Sequence, residues 1–173
     1  RQMCIRDRHY PGGMFDYHLK PFQAAIDAGT SAIMPYYAKP IGTEYDEVAF
    51  AYNKRIITDL LRGKMGFEGI INSDTGPIEM QPWGMEKYTI EQRYGKALEA
   101  GVDLFSGTGD PTQLMEAVKL GYVTEKRLDE SIFRLLKEKF VLGLFENPYV
   151  DVEKAKAVVG NKEFLQAGES AMR

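Results

Sequence analysis

The sequence predicts an α/β protein built from βαβ units around a parallel sheet, and three observations predict it. Short apolar runs stand at 31–35, 69–73 and 102–107. Amphipathic segments of helical period separate them, and glycines stand where a helix must stop. The alternation fits part of a (β/α)8 barrel or a doubly wound sheet. No Gly-rich phosphate fingerprint follows any of the runs, which weakens the dinucleotide-binding version of the second.

Taken in order, residues 20–29 (KPFQAAIDAG) place Phe22, Ala25 and Ile26 on one helical face, with Gly29 where a left-handed cap belongs. The stretch 31–35 reads as a strand, followed by a loop over 36–46 that holds Pro40 and Gly42. Residues 48–63 put Phe50, Ile57, Leu60 and Leu61 on one face and Lys54, Arg55 and Asp59 elsewhere, which predicts a helix. Gly69 to Ser73 is the next strand. After a long loop, Thr89 and Gln92 stand in capping-box spacing, and Gly101 closes the helix they open. Residues 102–107 give the last strand, and Asp110-Pro111 an N-cap with proline at the first helical position. Thr124 is placed to cap a long helix. Leu128, Ile132, Leu135, Leu136 and Phe140 line one side of it, and Asp129, Glu130, Arg134, Lys137 and Glu138 the other. Beyond Asn147-Pro148 the pattern is that of an exposed linker with weak helices.

Composition narrows the function classes. A net charge of −3 gives no electrostatic case for nucleic acid or an anionic membrane as partner. The longest apolar runs, such as 140–145, are far too short to span a bilayer. Cys4 stands alone, so no internal disulfide can form, and with only His9 and His18 beside it a zinc site has almost no ligands. No metal and no organic cofactor are expected. The chain starts without methionine and ends mid-pattern, so a fragment is expected. The opening RQMCIRDR fits no period and is more like a translated sequencing adapter; residues 1–9 are expected to be a non-native leader without a structural role.

The second apolar run ends on Ser73-Asp74-Thr75-Gly76. A carboxylate ending a buried strand is capping, paired or reacting, because a buried unpaired charge is costly. Spacing alone leaves a turn cap and a nucleophile equally open. In a barrel, catalytic groups sit at the C-terminal ends of the strands. The three readable ends, Met34-Pro35-Tyr36-Tyr37, Ser73-Asp74-Thr75 and Ser106-Gly107-Thr108-Gly109, are each polar or aromatic, which favours a site over a core. Tyr36 and Tyr37 are adjacent and should point opposite ways, so one of them faces the barrel mouth. Asp103, inside the last strand, reads as a buried structural carboxylate. The glycine-rich loop at 106–109 could cradle a phosphate at a helix N-terminus. Asp110 would satisfy those amides and repel the anion, so the loop reads as a site edge or a plain turn.

Together these motifs resemble the family-three glycoside hydrolases, the β-glucosidase and β-N-acetylglucosaminidase group. GFEGIINSDTG (66–76) is similar to that family's nucleophile segment, and HLKPFQAAIDAGTSAIMPYY (18–37) to its preceding helix and strand. ALEAGVDLFSGTGDP (97–111) resembles the last barrel strand, and RLDESIFRLLKEKFVLGLFENPYVD (127–151) the helix and linker that leave the barrel. The resemblance implies that residues 10–146 are the C-terminal half of a (β/α)8 barrel, and that 147–173 lead toward a missing C-terminal domain. It implies Asp74 as catalytic nucleophile, and Met34 and Tyr37 as residues facing the sugar in the first subsite. The family usually has Trp immediately after the nucleophile. Here Thr75 stands there, which puts the second sugar subsite in doubt and leaves Trp83 as an alternative aromatic platform.

A retaining glycosidase needs a second carboxylic acid. Asp16 and His18 superficially match the acid pair of the acetylglucosaminidase branch, but that pair belongs to a loop after a Lys-His motif that is missing here. Glu79 and Glu86 are expected to be solvated, and the acid is expected from outside the chain. His9-Tyr10-Pro11-Gly12-Gly13 imitates the family's sugar-binding Lys-His motif with Arg8 in place of lysine. It lies too close to the following helix, and His9 is rejected as a sugar ligand. The implied function is a retaining, exo-acting β-glycosidase acting on a β-glucoside or oligosaccharide, with weak support for a periplasmic or secreted location. A phosphate-binding barrel enzyme of aldolase or isomerase type, and a non-catalytic sugar-binding relative, are the alternatives.

Overall fold

Two short two-stranded ladders are described, both parallel, and the apolar one is built from Ala32–Ile33 and Ile70–Ile71. The structure is a computed structural model and describes residues 5–74, 76–107 and 109–173. Two compact units divide the chain, the first ending at Glu138 and the second being Lys139–Arg173.

In the first unit, β1 (Asp7–Arg8) pairs with β3 (Lys39–Pro40), and β2 (Ala32–Ile33) pairs with β4 (Ile70–Ile71). A single bridge then sets Leu104 beside Asn72, with the Ser73 amide donating to the Leu104 carbonyl at 2.7 Å. The expected strands at 31–35, 69–73 and 102–107 are thus present in order, but as short ladders. Residues 1–4 of the expected leader lie outside the described residues. Asp7 and Arg8 differ from the expectation of no structural role, since they form a separate parallel ladder with Lys39 and Pro40.

Helices cover the sheet. α1 (Phe15–Asp27) ends as predicted, with Gly29 at a φ of 84°, but starts earlier than residue 20. The single helix expected over 48–63 breaks at Asn53 into a 3-10 turn (Phe50–Tyr52) and an i→i−5 helix (Arg55–Lys64). Asn53 explains the break. Its side chain donates to the Asp46 carbonyl at 2.8 Å and accepts from the Ile56 amide at 3.2 Å, so it caps a new helix instead of continuing an old one.

A short helix, α2 (Pro77–Met80), follows β4 in the expected long loop. α3 (Ile90–Ala100) has the full capping box between Thr89 and Gln92 and closes on Gly101 at a φ of 117°. α4 (Thr112–Lys119) begins one residue later than proline at the first position would give, with Asp110 accepting from the Thr112 amide at 2.9 Å. α5 (Glu125–Val141) starts where Thr124 accepts from the Arg127 amide at 3.2 Å. The core lies between these helices and the sheet, around Ile57, Phe67, Ile71, Tyr94, Leu98 and Val102.

α5 buries only part of its expected face. Leu128 packs on the core and Leu135 is half-buried, but Ile132, Leu136 and Phe140 are 48%, 41% and 59% exposed, while Arg127, Ser131 and Arg134 turn inward. The buried charge of Asp103 on the sheet draws them. In the second unit, Asp151 caps α6 (Val152–Val158) and Asn161 caps α7 (Lys162–Met172) through their side-chain oxygens. Both helices are better formed than the weak ones expected, and their side chains are exposed. Among the described residues, no helix is long and apolar enough to cross a membrane.

Candidate active site

Parallel register brings the strand ends to one edge. Ile33 lies opposite Ile71, and Asn72 opposite Leu104, so Met34, Ser73-Asp74 and Phe105-Ser106 leave the sheet side by side. Hydrogen bonds then fix the turn that holds Asp74. The Ser106 amide donates to the Ser73 hydroxyl at 3.1 Å, and that hydroxyl donates to the Asp74 carbonyl at 2.9 Å. The Ser106 hydroxyl donates to Asn72 Oδ1 at 2.7 Å, and the Gly76 amide donates to the Ser106 carbonyl at 3.1 Å. Asp74 is half-buried at this edge. Thr75 and Thr108 lie outside the described residues.

The other sequence candidates divide. Tyr37 is buried and meets Trp83 edge-on, the ring centroids 6.3 Å apart, so these two come together. The Trp83 loop is tied down by the Ala49 amide donating to the Trp83 carbonyl at 2.9 Å. Tyr36 turns the other way, half-buried, and its hydroxyl accepts from Arg8 at 2.7 Å. Met34 is 51% exposed and borders a separate apolar cavity of about 130 Å³ with Leu19, Phe22 and Leu60. That surface is apolar packing around the strand end. His9 and Asp16 lie along a separate groove, and His18 stacks edge-on against Tyr10.

The two loop carboxylates have distinct partners. Glu86 accepts from the Gly84 amide at 3.1 Å, and backbone donors, chiefly its own amide, hold it below the usual carboxylate range. Glu79 accepts from the Tyr94 hydroxyl at 3.2 Å beside a small cavity of about 110 Å³ bounded by Ser73, Phe105 and Ser106. Burial, then the charge of Glu79, pushes the Tyr94 phenol up to about 12. Glu79 and Glu86 are both exposed, as expected, and Glu79 also borders the cavity that Ser73 and Ser106 line.

Asp103 is the most heavily partnered carboxylate among the described residues. Its side chain is fully buried and takes Arg62 at 2.6 Å and Arg134 at 2.9 Å, with Arg127 at 3.7 Å. Ser131 donates to it at 2.7 Å and the Ile71 amide at 3.0 Å. Burial pulls the Arg62 and Arg127 guanidinium groups down, and the Asp103 charge offsets this. The expected structural carboxylate is what these contacts describe, bonded to β4 only three residues before Asp74. Sequence reasoning missed the arginines, although Arg127, Ser131 and Arg134 fall at i, i+4 and i+7 along one helix face. Among the described residues, no group of three or more His, Cys, Asp or Glu side chains could hold a metal ion.

Parallel strands under helices define an α/β protein, and Asp74 stands where one of those strands ends. The chain belongs to glycosyl hydrolase family 3: the model of the family's N-terminal domain matches residues 6–137. It is 49% identical to a probable β-glucosidase C of Aspergillus oryzae over 97% of this chain and 28% of that protein. It is 40% identical to a periplasmic β-glucosidase/β-xylosidase of Dickeya chrysanthemi over 88% of this chain and 27% of that protein. A solved β-glucosidase involved in saponin metabolism, from intestinal bacteria, matches with a TM-score of 0.73 at 33% identity, over 86% of this chain and 19% of that one. The chain thus spans a little over a quarter of the length of the Aspergillus and Dickeya proteins.

Proposed function

We propose that this chain is the C-terminal part of a (β/α)8 barrel from a retaining, exo-acting β-glucosidase, and that Asp74 is its nucleophile. The observation that supports this most is the Asp74 turn. Bonds among Ser73, Ser106 and Gly76 fix the backbone on either side of the half-buried Asp74, in the segment that resembles the family's nucleophile strand. Family membership supplies the chemical class, and the β-glucosidase names of the relatives support the sugar. Asp74 would attack the anomeric carbon of a terminal β-linked glucose, forming a glycosyl-aspartate that water then hydrolyses.

Tyr37 and Trp83, packed edge to face, would wall the sugar site, with Met34 and Thr75 as further contacts. Glu79 and Glu86 are exposed loop carboxylates, and the acid is assigned to chain outside these residues. Residues 10–146 are read as barrel and 147–173 as the linker toward a second domain. The periplasmic relative supports a location outside the cytoplasm. Binding of phosphate at the 106–109 loop has little in its favour, because the Asp110 carboxylate stands at the amino end of α4. The test is hydrolysis of an aryl β-glucoside by the longer protein. Asp74→Asn should lower kcat by at least about a thousandfold with little loss of substrate binding, whereas near-normal turnover would refute the assignment.

A further inference from the structure

A second sugar-compatible surface lies in the first unit, where β1 and β3 end. His9, Tyr10, Phe15, Asp16, Glu44 and Tyr45 line a groove of about 520 Å³. Its aromatic rings form one continuous wall. Tyr10 meets Phe15 edge-on at 4.9 Å between centroids, and Phe15 meets Tyr45 at 5.2 Å with a tilt of 39°. All three rings are half-buried, while His9, Asp16 and Glu44 are exposed beside them.

Half-buried rings flanked by exposed carboxylates suit a ligand with an apolar face and a hydroxylated rim. The apolar C–H face of a pyranose stacks on such rings, and its hydroxyls donate to carboxylate oxygens. The charge pattern argues against a cationic ligand. Arg55 already sits 5.3 Å from the Tyr45 ring centre and pairs with Glu44 Oε2 at 2.9 Å, so the cation–π position is filled and the Glu44 charge is compensated, while its carboxylate keeps further acceptor sites for hydroxyls. We infer that this groove binds a neutral β-linked oligosaccharide through Tyr10, Phe15 and Tyr45, with Asp16 and Glu44 holding its hydroxyls. Only the choice of a β-glucose ligand rests on the proposed function; the groove's chemistry does not.

The test is an amide NMR titration of the chain with cellobiose. Saturable shifts are expected at Gly13, Gly42 and Thr43. Tyr45→Ala should weaken binding about tenfold, the equivalent of one good ring contact. Asp16→Asn, an exposed change, should weaken it with an unaltered melting temperature, which separates lost binding from lost folding. No saturable shift at those amides, or shifts produced by tetramethylammonium and not by cellobiose, would overturn the inference. Asp74→Asn should leave the groove shifts intact. A silent groove beside a catalytically competent Asp74 would therefore remove this inference alone, and a binding groove beside a dispensable Asp74 would remove only the proposed function.

Discussion

Asp103 shows what one buried charge demands of its surroundings. Three guanidinium groups, one hydroxyl and one backbone amide converge on its fully buried carboxylate. Truncating it leaves Arg62 and Arg127 with burial they no longer offset. Asp103→Ala should cost about 3–5 kcal/mol in urea unfolding, the usual cost of breaking a buried pair. Arg134→Met should cost distinctly less, because Arg134 is partly solvated. Equal costs for the two would contradict this ranking.

Tyr94 makes the second prediction at this scale. Its phenol is raised from 10.0 to about 12, so the folded state holds the proton more tightly than the unfolded chain. The stability this contributes is complete below pH 10 and is lost as pH rises toward about 12. Tyr94→Phe should flatten the alkaline limb of the stability curve over that range. An unchanged limb would show that other groups, such as the buried Tyr52, dominate it.

Among the elements, the tightest joint is the entry to β4. A Cβ placed on Gly69 would lie 2.3 Å from the Ser31 carbonyl oxygen and 2.7 Å from the Phe67 ring. The Ser31 backbone, just before β2, cannot yield as a flexible side chain would. Gly69→Ala should destabilise the chain by about 1–3 kcal/mol in thermal or urea unfolding, and a neutral result would mean that β2 and β4 part easily. Helix ends were legible in the sequence because their signals are local. Thr89, Gln92, Gly101 and Thr124 each act within one turn of their own position. Two features were not legible, for a shared reason. Asn53 breaks a helix by reaching back to Asp46, and α5 turns its Arg127–Ser131–Arg134 face inward toward a carboxylate about thirty residues away in sequence. Periodicity counts apolar residues and therefore assigned Arg134 to solvent. Asp74 was legible as a candidate from its place at a strand end. Its supports from Ser106 are contacts across the sheet, which no local pattern contains.

For the whole molecule, the relevant fact is that the chain spans 28% of its Aspergillus relative. On the proposed reading, this chain alone lacks both the rest of the barrel and the proton donor. It should show no hydrolysis of an aryl β-glucoside above the buffer rate, and measurable turnover would mean that Glu79 or another carboxylate within these residues supplies the acid. The central claim is that Asp74 attacks the sugar. It is tested most directly by incubating the longer protein with 2-deoxy-2-fluoro-β-glucosyl fluoride and mapping the added mass by peptide mass spectrometry. The account predicts one fluoroglucosyl adduct on the peptide containing Asp74, absent from Asp74→Asn. An adduct on a different carboxylate, or turnover of the reagent with equal efficiency by Asp74→Asn, would contradict it.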